Sequence, residues 1–303
     1  MKIKFIISVF ILLTSSLVMA AADENDNAEN EAYWAWAQEL WDSLDRKIGE
    51  IKLPEAHVTL NVPEDFYYLN AQDAEKVLVE VWGNPPSETT LGMLFPTEPT
   101  PFDDGAWAVT IEYEEDGYVT DEDADDIDYT KLLDQMKIDT QDNSENRVEQ
   151  GYEPIELIGW AADPFYDSKT NKMYWAKEIK FGSLETNTLN YNIRFLGRKG
   201  VLVLNFIADM SQLQLIEAKR ESVLALADFD QGSKYLDFDP DIDEVAAYGL
   251  GALVAGKVLA KTGLLVILLA FLKKFGILIV IGAGAFLKTM FSRRKEKAIE
   301  DHS

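Results

Sequence analysis

The sequence predicts an α+β ectodomain, a mainly antiparallel sheet with packed helices, followed by a C-terminal membrane helix. Three observations lead there. In the second half, the alternating runs MYWAKEIKF, LNYNIRFLG and VLVLNFIAD are joined by only a few residues. Such links are too short for the crossover that parallel neighbours need. Segments with apolar residues three and four apart precede and follow these strands, which is the helical period. Both chain ends are apolar and flanked by basic residues, while the body between them is acidic.

At the N-terminus, Lys2 and Lys4 precede an apolar run from Phe5 to Val18, and Ala20, Ala21 and Ala22 follow. That layout is a secretory signal peptide over 1–20, cut after Ala20 or after Ala22. An acidic, amide-rich leader covers 21–30, too polar to fold by itself. The extracytoplasmic domain runs over 31–240, with a division into two subdomains possible near 96–105, where prolines and acids gather.

Within it, EAYWAWAQELWDSLDRKIG aligns Trp34, Ala37, Trp41, Leu44 and Ile48 on one helical face, ended by Gly49. Strands are expected at Ile51–Leu53 and His57–Val62. A helix over Ala71–Trp82 follows Asn70, turns Ala74, Val77, Leu78 and Val81 inward, and stops at Gly83-Asn84-Pro85-Pro86. Further strands are Leu91–Phe95 and Trp107–Tyr113, the latter with Trp107, Val109, Ile111 and Tyr113 on one side. Thr120 and Asp123 form the expected capping box of a helix. In the hairpin, Leu189, Tyr191, Ile193 and Phe195 oppose Asn190, Asn192 and Arg194. A helix from about Ser211 to Asp228 buries Leu213, Ile216, Val223, Leu224 and Ala227.

A glycine-rich juxtamembrane helix is expected over 241–272, opening near Val245 with Asp237, Asp239, Asp241, Asp243 and Glu244 at its positive end. Lys257 and Lys261 at mid-membrane would cost about 2.5–3.5 kcal/mol each, a cost avoided by a helix on the outer membrane surface or packed against the ectodomain. Gly249, Gly251 and Gly256 leave a smooth face for a partner envelope protein, a second copy or lipid. The transmembrane anchor is 273–291, and the basic tail 292–303 holds Arg293, Arg294, Lys295 and Lys297 as a stop-transfer cluster. Together these predict a bacterial cytoplasmic-membrane protein with a periplasmic ectodomain, N-out and C-in. A two-pass hairpin is the competing topology.

Composition removes whole classes of function. With 53 acidic and 28 basic residues the net charge is −25, which repels nucleic acid phosphates. Zero cysteines exclude disulfides, thiolate metal sites and cysteine nucleophiles. Two histidines, His57 and His302, cannot make a three-histidine zinc site. No GxSxG, Walker A, GxGxxG or HExxH motif occurs.

The ordered blocks LNVPEDFYYL, EVWGNPP, GMLFP, WAVTIEYEEDGYVTDEDADDIDYTKLL, GWAADPFYD, MYWAKEI, LNYNIRFLGRKGVLVLN and VAAYGLGALVAGKVLAKTG resemble one family. It is the bacterial membrane-anchored family catalogued as domain of unknown function 2167, matched from about Gly49 to Gly263. The resemblance implies an envelope location and a C-terminal anchor, with no activity to carry over. The strand–hairpin–strand–helix run also resembles small PsbP- and Mog1-like sandwiches.

Three constellations bear chemistry. Asp121, Asp123 and Asp125 have the first spacings of an EF-hand, but Asp126 replaces its glycine and Leu132 its final glutamate. What remains is opportunistic Ca²⁺ binding, and no other cofactor is expected. Arg194, Arg198 and Lys199 could hold an anionic ligand or an intramolecular carboxylate. Trp82, Asn84, Tyr174, Trp175 and Lys177 could line a pocket. The expected function is a non-catalytic binding module; the alternative is a membrane-tethered hydrolase using carboxylate or Ser–Lys chemistry.

Overall fold

A computed structural model describes residues 30–87 and 89–255. The expected signal peptide, the anchor, the basic tail, and Gly256, Lys257 and Lys261 lie outside the described residues. Among the described residues no helix is long and apolar enough to cross a membrane.

The chain begins with helix α1 (30–43), then β1 (Gly49–Leu53), β2 (Val58–Val62) and β3 (Phe66–Asn70). Helix α2 (Ala71–Lys76) runs into a π turn (Val77–Val81), followed by β4 (Gly92–Pro96) and β5 (Ala108–Glu114). Next come α3 (Tyr129–Glu149), β6 (Ile155–Asp167), β7 (Lys172–Phe181), β8 (Thr188–Leu196) and β9 (Val201–Asp209). Helix α4 (Leu213–Leu224), β10 (Ala227–Phe229) and α5 (Leu250–Val254) complete the order. One sheet has the order β1-β2-β10 and the other β3-β4-β5-β9-β8-β7-β6. β1, β2 and β10 pair antiparallel, as do β3 with β4, β4 with β5, and β6 with β7. This is the α+β architecture of antiparallel sheets with packed helices.

Two compact units divide the described chain: 30–114, 183–192 and 202–231 in the first, and 115–182, 193–201 and 232–255 in the second. The first break along the chain falls after Glu114, beyond the connection at 96–105.

In the first unit, Leu40 and Leu44 pack on Tyr67, Leu69, Val77, Met93 and Phe95, with Trp36 and Trp41 beside them. The inward face of α1 therefore differs from the expected one, since Trp34 and Ile48 are exposed. The helix ends before Ile48 because the chain is tied elsewhere: the Asp45 amide donates to Asp73 at 3.1 Å, and Lys47 bridges to Tyr68. Asn70 caps α2 as its sequence predicts, its side-chain oxygen accepting from the Asp73 amide at 3.0 Å. β5 is buried on both sides, Ala108 and Thr110 as well as Val109 and Ile111. It lies within the sheet, and its alternation does not mark a solvent face. Helix α4 stops at Leu224, and Ala227 lies in a strand opposite Leu60.

In the second unit, Asp128 caps α3 by accepting from the Lys131 amide at 3.1 Å, which corrects the expected Thr120–Asp123 box. Asp123 has another role. Its carboxylate accepts from the amides of Leu250 at 2.9 Å and Gly251 at 3.1 Å, at the start of α5. A Cβ on Gly249 would meet that carboxylate at 2.5 Å, so a glycine is required for the approach. Helix α5 thus opens at Leu250, while Val245 makes a parallel bridge to Tyr118. Leu250 and Leu253 pack with Val119, Leu196, Val201 and Tyr235.

Candidate functional site

β6 and β7 run antiparallel with Trp160 opposite Lys177. The two-residue period of β7 puts Met173, Trp175, Lys177 and Ile179 on one face. That face is apolar apart from Lys177: Met173, Trp175 and Ile179 pack with Leu132, Met136, Leu157 and Trp160. From β8, the Arg194 guanidinium lies 4.9 Å from the centre of the Trp175 ring, a cation–π contact.

The electrostatics of Lys177 follow from this setting. Burial of its ammonium, and then the charge of Arg194, push its pKa down from 10.5 to about 8. Among the described residues no carboxylate lies within ion-pair distance of Lys177. The indole nitrogens of Trp160 and Trp175 are buried without a hydrogen-bond acceptor among the described residues. Trp175 is 2% exposed, whereas Lys177 and Trp160 are partly exposed at the rim.

Residues 45–284 match the model of the family described as "Protein of unknown function (DUF2167)". The chain belongs to the DUF2167 family. No curated protein matches the sequence. Among solved structures, the DUF2167 chain is similar to cyanobacterial PsbP (CyanoP) from Synechocystis sp. PCC 6803 at 11% identity and TM-score 0.34, covering 62% of this chain and 92% of that one. The Ran-binding protein Mog1p of Saccharomyces cerevisiae is similar at 12% identity and TM-score 0.31, covering 63% of this chain and 98% of that one.

Several of the other predicted positions of this DUF2167 chain are engaged by its own groups. Arg198 donates through Nε to Asp243 at 2.7 Å and through Nη1 to the Gly232 carbonyl at 3.1 Å. Its guanidinium holds the Asp243 carboxyl below the usual carboxylate range. Asp243 therefore serves Arg198, not the positive end of a helix at Val245.

Asp121 accepts from Tyr166 at 2.9 Å and from Tyr235 at 3.3 Å, Asp123 caps α5, and Asp125 is exposed. Among the described residues no three such carboxylates are gathered to hold a metal. Trp82 donates to the Pro101 carbonyl at 3.1 Å and Asn84 to that of Leu78 at 3.1 Å, so both tie down the loop after α2. They belong to the first unit and the Lys177 face to the second. Gly249 and Gly251 pack on Asp123 of the same chain. Trp160 is the residue of this candidate site that periodicity passes over, because bulges on both sides of it break the alternation of β6.

Proposed function

We propose that this chain is a membrane-anchored protein of the bacterial cell envelope whose periplasmic domain is a non-catalytic binding module. The observation that supports it is Lys177. Carboxylates outnumber cations 53 to 28 in this chain, yet none pairs with this partly buried lysine among the described residues. An apolar stripe interrupted by an uncompensated ammonium is costly to the fold. It is the expected design of a site whose counter-charge comes from outside. The envelope setting rests on the signal peptide, the apolar C-terminal segment and the basic tail. The candidate partners are the membrane, an envelope protein or a second copy.

The test is capture of the full chain and its Lys177→Met variant from solubilised envelopes. Species retained by the first and lost by the second support the module; identical recovery from both contradicts it. A second reading, the tethered hydrolase, draws on the same residue, since a lysine at about 8 is a competent general base near neutral pH. It requires turnover that disappears in Lys177→Gln.

A further inference from the structure

We infer that Lys177 is a modification site whose ε-amine takes up carbon dioxide reversibly and becomes a carbamate. The inference goes beyond the binding-module reading and stands without it, since it uses only the setting of this one side chain.

Placement singles Lys177 out among the lysines. It lies in β7 opposite Trp160 of β6, on the strand face it shares with Met173, Trp175 and Ile179. Those three pack with Leu132, Met136 and Leu157, so the amine stands at the rim of an apolar floor. The side chain is partly exposed. Unlike the indole nitrogens of Trp160 and Trp175, its Nζ is not among the polar atoms shut away without a partner. Other lysines are held as ammonium by carboxylates: Lys47 by Asp45 at 3.0 Å, Lys76 by Asp73 at 2.8 Å and Lys131 by Asp128 at 2.7 Å. Among the described residues Lys177 has no such partner. The charge acting on it has its own sign, that of Arg194, whose guanidinium is fixed 4.9 Å from the Trp175 ring centre. Arg194 has contacts of its own and enters only as a positive charge.

An ammonium has no lone pair to offer a carbon electrophile, whereas an amine has one. With Lys177 lowered to about 8, its neutral form at about pH 7.5 is roughly two hundredfold more abundant than for an ordinary lysine. The nitrogen lone pair adds to the carbon of carbon dioxide, forming a C–N bond as one C=O π pair moves onto oxygen. The nitrogen releases one proton to the buffer, leaving –NH–COO⁻. Nothing is oxidised or reduced.

The setting selects this electrophile over others. Carbon dioxide is small and uncharged, so it reaches an amine at an apolar rim without the desolvation cost of an anion. An aldehyde would give an iminium that keeps the positive charge, and an acyl donor would leave a neutral amide. The carbamate instead puts a negative charge beside Arg194 and turns a like-charge pair into an opposite-charge one.

The experiment equilibrates the full chain in detergent micelles with ¹³C-labelled bicarbonate and its dissolved carbon dioxide at about pH 7.5. Carbamate carbons are followed by ¹³C NMR, then trapped as esters with a trialkyloxonium salt and located by peptide mass spectrometry. The expected result is a labelled adduct at Lys177, at least ~tenfold more abundant than at Lys180, an exposed lysine of the same strand. Its resonance should be missing from Lys177→Arg, which keeps the cation without a titrating amine. The α-amine, which titrates at about 8, supplies a second resonance that should persist in the variant.

No adduct at Lys177, an adduct no more abundant there than at Lys180, or an unchanged set of resonances in Lys177→Arg would each overturn the inference. The adduct is located on the unaltered chain, so the folding of a variant does not decide the result. If no carbamate forms while envelope capture still depends on Lys177, the inference falls and the binding module stands. A carbamate at Lys177 with capture independent of that residue gives the reverse.

Discussion

Replacing Lys177 with methionine should make the protein more stable while removing its binding function. The unfolded lysine titrates at 10.5 and the folded one at about 8. At ~1.4 kcal/mol per pH unit, charging Lys177 at neutral pH opposes folding by about 3 kcal/mol. Between the two values the unfolded chain holds a proton that the folded chain lacks, so stability rises with pH across that window. Methionine retains the apolar stem and cannot be charged. Lys177→Met is therefore expected to gain about 3 kcal/mol at about pH 7, falling to roughly half of that at about pH 9.5.

The assay is urea unfolding of the full chain in micelles, read by tryptophan fluorescence, for both proteins at both pH values. Work should stay below about pH 10, because burial pushes the Tyr67 hydroxyl up and that of Tyr68 up to about 12. A folded tyrosine that keeps its proton loses stability as pH rises, which has the opposite sign. A variant that is destabilised at neutral pH, or a difference that does not change with pH, would refute the reasoning. Either result would mean that the ammonium is paired within the fold.

Three further outcomes are expected. Asp123→Ala removes the acceptor for the first amides of α5 and should cost about 1–2 kcal/mol, measured by urea unfolding, with faster hydrogen exchange at Leu250 and Gly251. Asp243→Asn abolishes a carboxyl held low by Arg198. The wild-type chain should lose stability as pH falls through that lowered value, and the variant should lack this part of the acid transition in a pH-dependent denaturation series. Reporter fusions at Asp239 and Ser303 should report opposite sides of the membrane; the same side for both would favour the two-pass hairpin.

Much of the fold is legible in the sequence wherever structure is local. Asn70 caps α2 from the adjoining position, β2 alternates Val58, Leu60 and Val62 as buried residues, and Leu189, Tyr191, Ile193 and Phe195 are all buried in β8, although Asn192 between them is buried as well. Elements fixed by distant contacts are not legible. β3 buries Phe66, Tyr67, Tyr68 and Leu69 in succession, so it has no two-residue period to detect. β6 carries bulges and Pro164, which disguise a strand of 13 residues. The cap of α5 comes from Asp123, 127 residues before the amide it accepts from; local acids at 237–244 are a reasonable substitute on charge alone and the wrong one.

The candidate site divides in the same way. Lys177 and Arg194 are visible as cations in strand-like runs of an acidic chain. That Arg198 is taken by Asp243, that Lys177 has no carboxylate among the described residues, and that Trp160 stands opposite it depend on pairings no local pattern encodes.

The most direct measurement is the titration of Lys177 itself, by NMR of the full chain in micelles with its lysines ¹³Cε-labelled. The predicted midpoint is about 8 in the free protein. A midpoint near 10.5 would contradict the account.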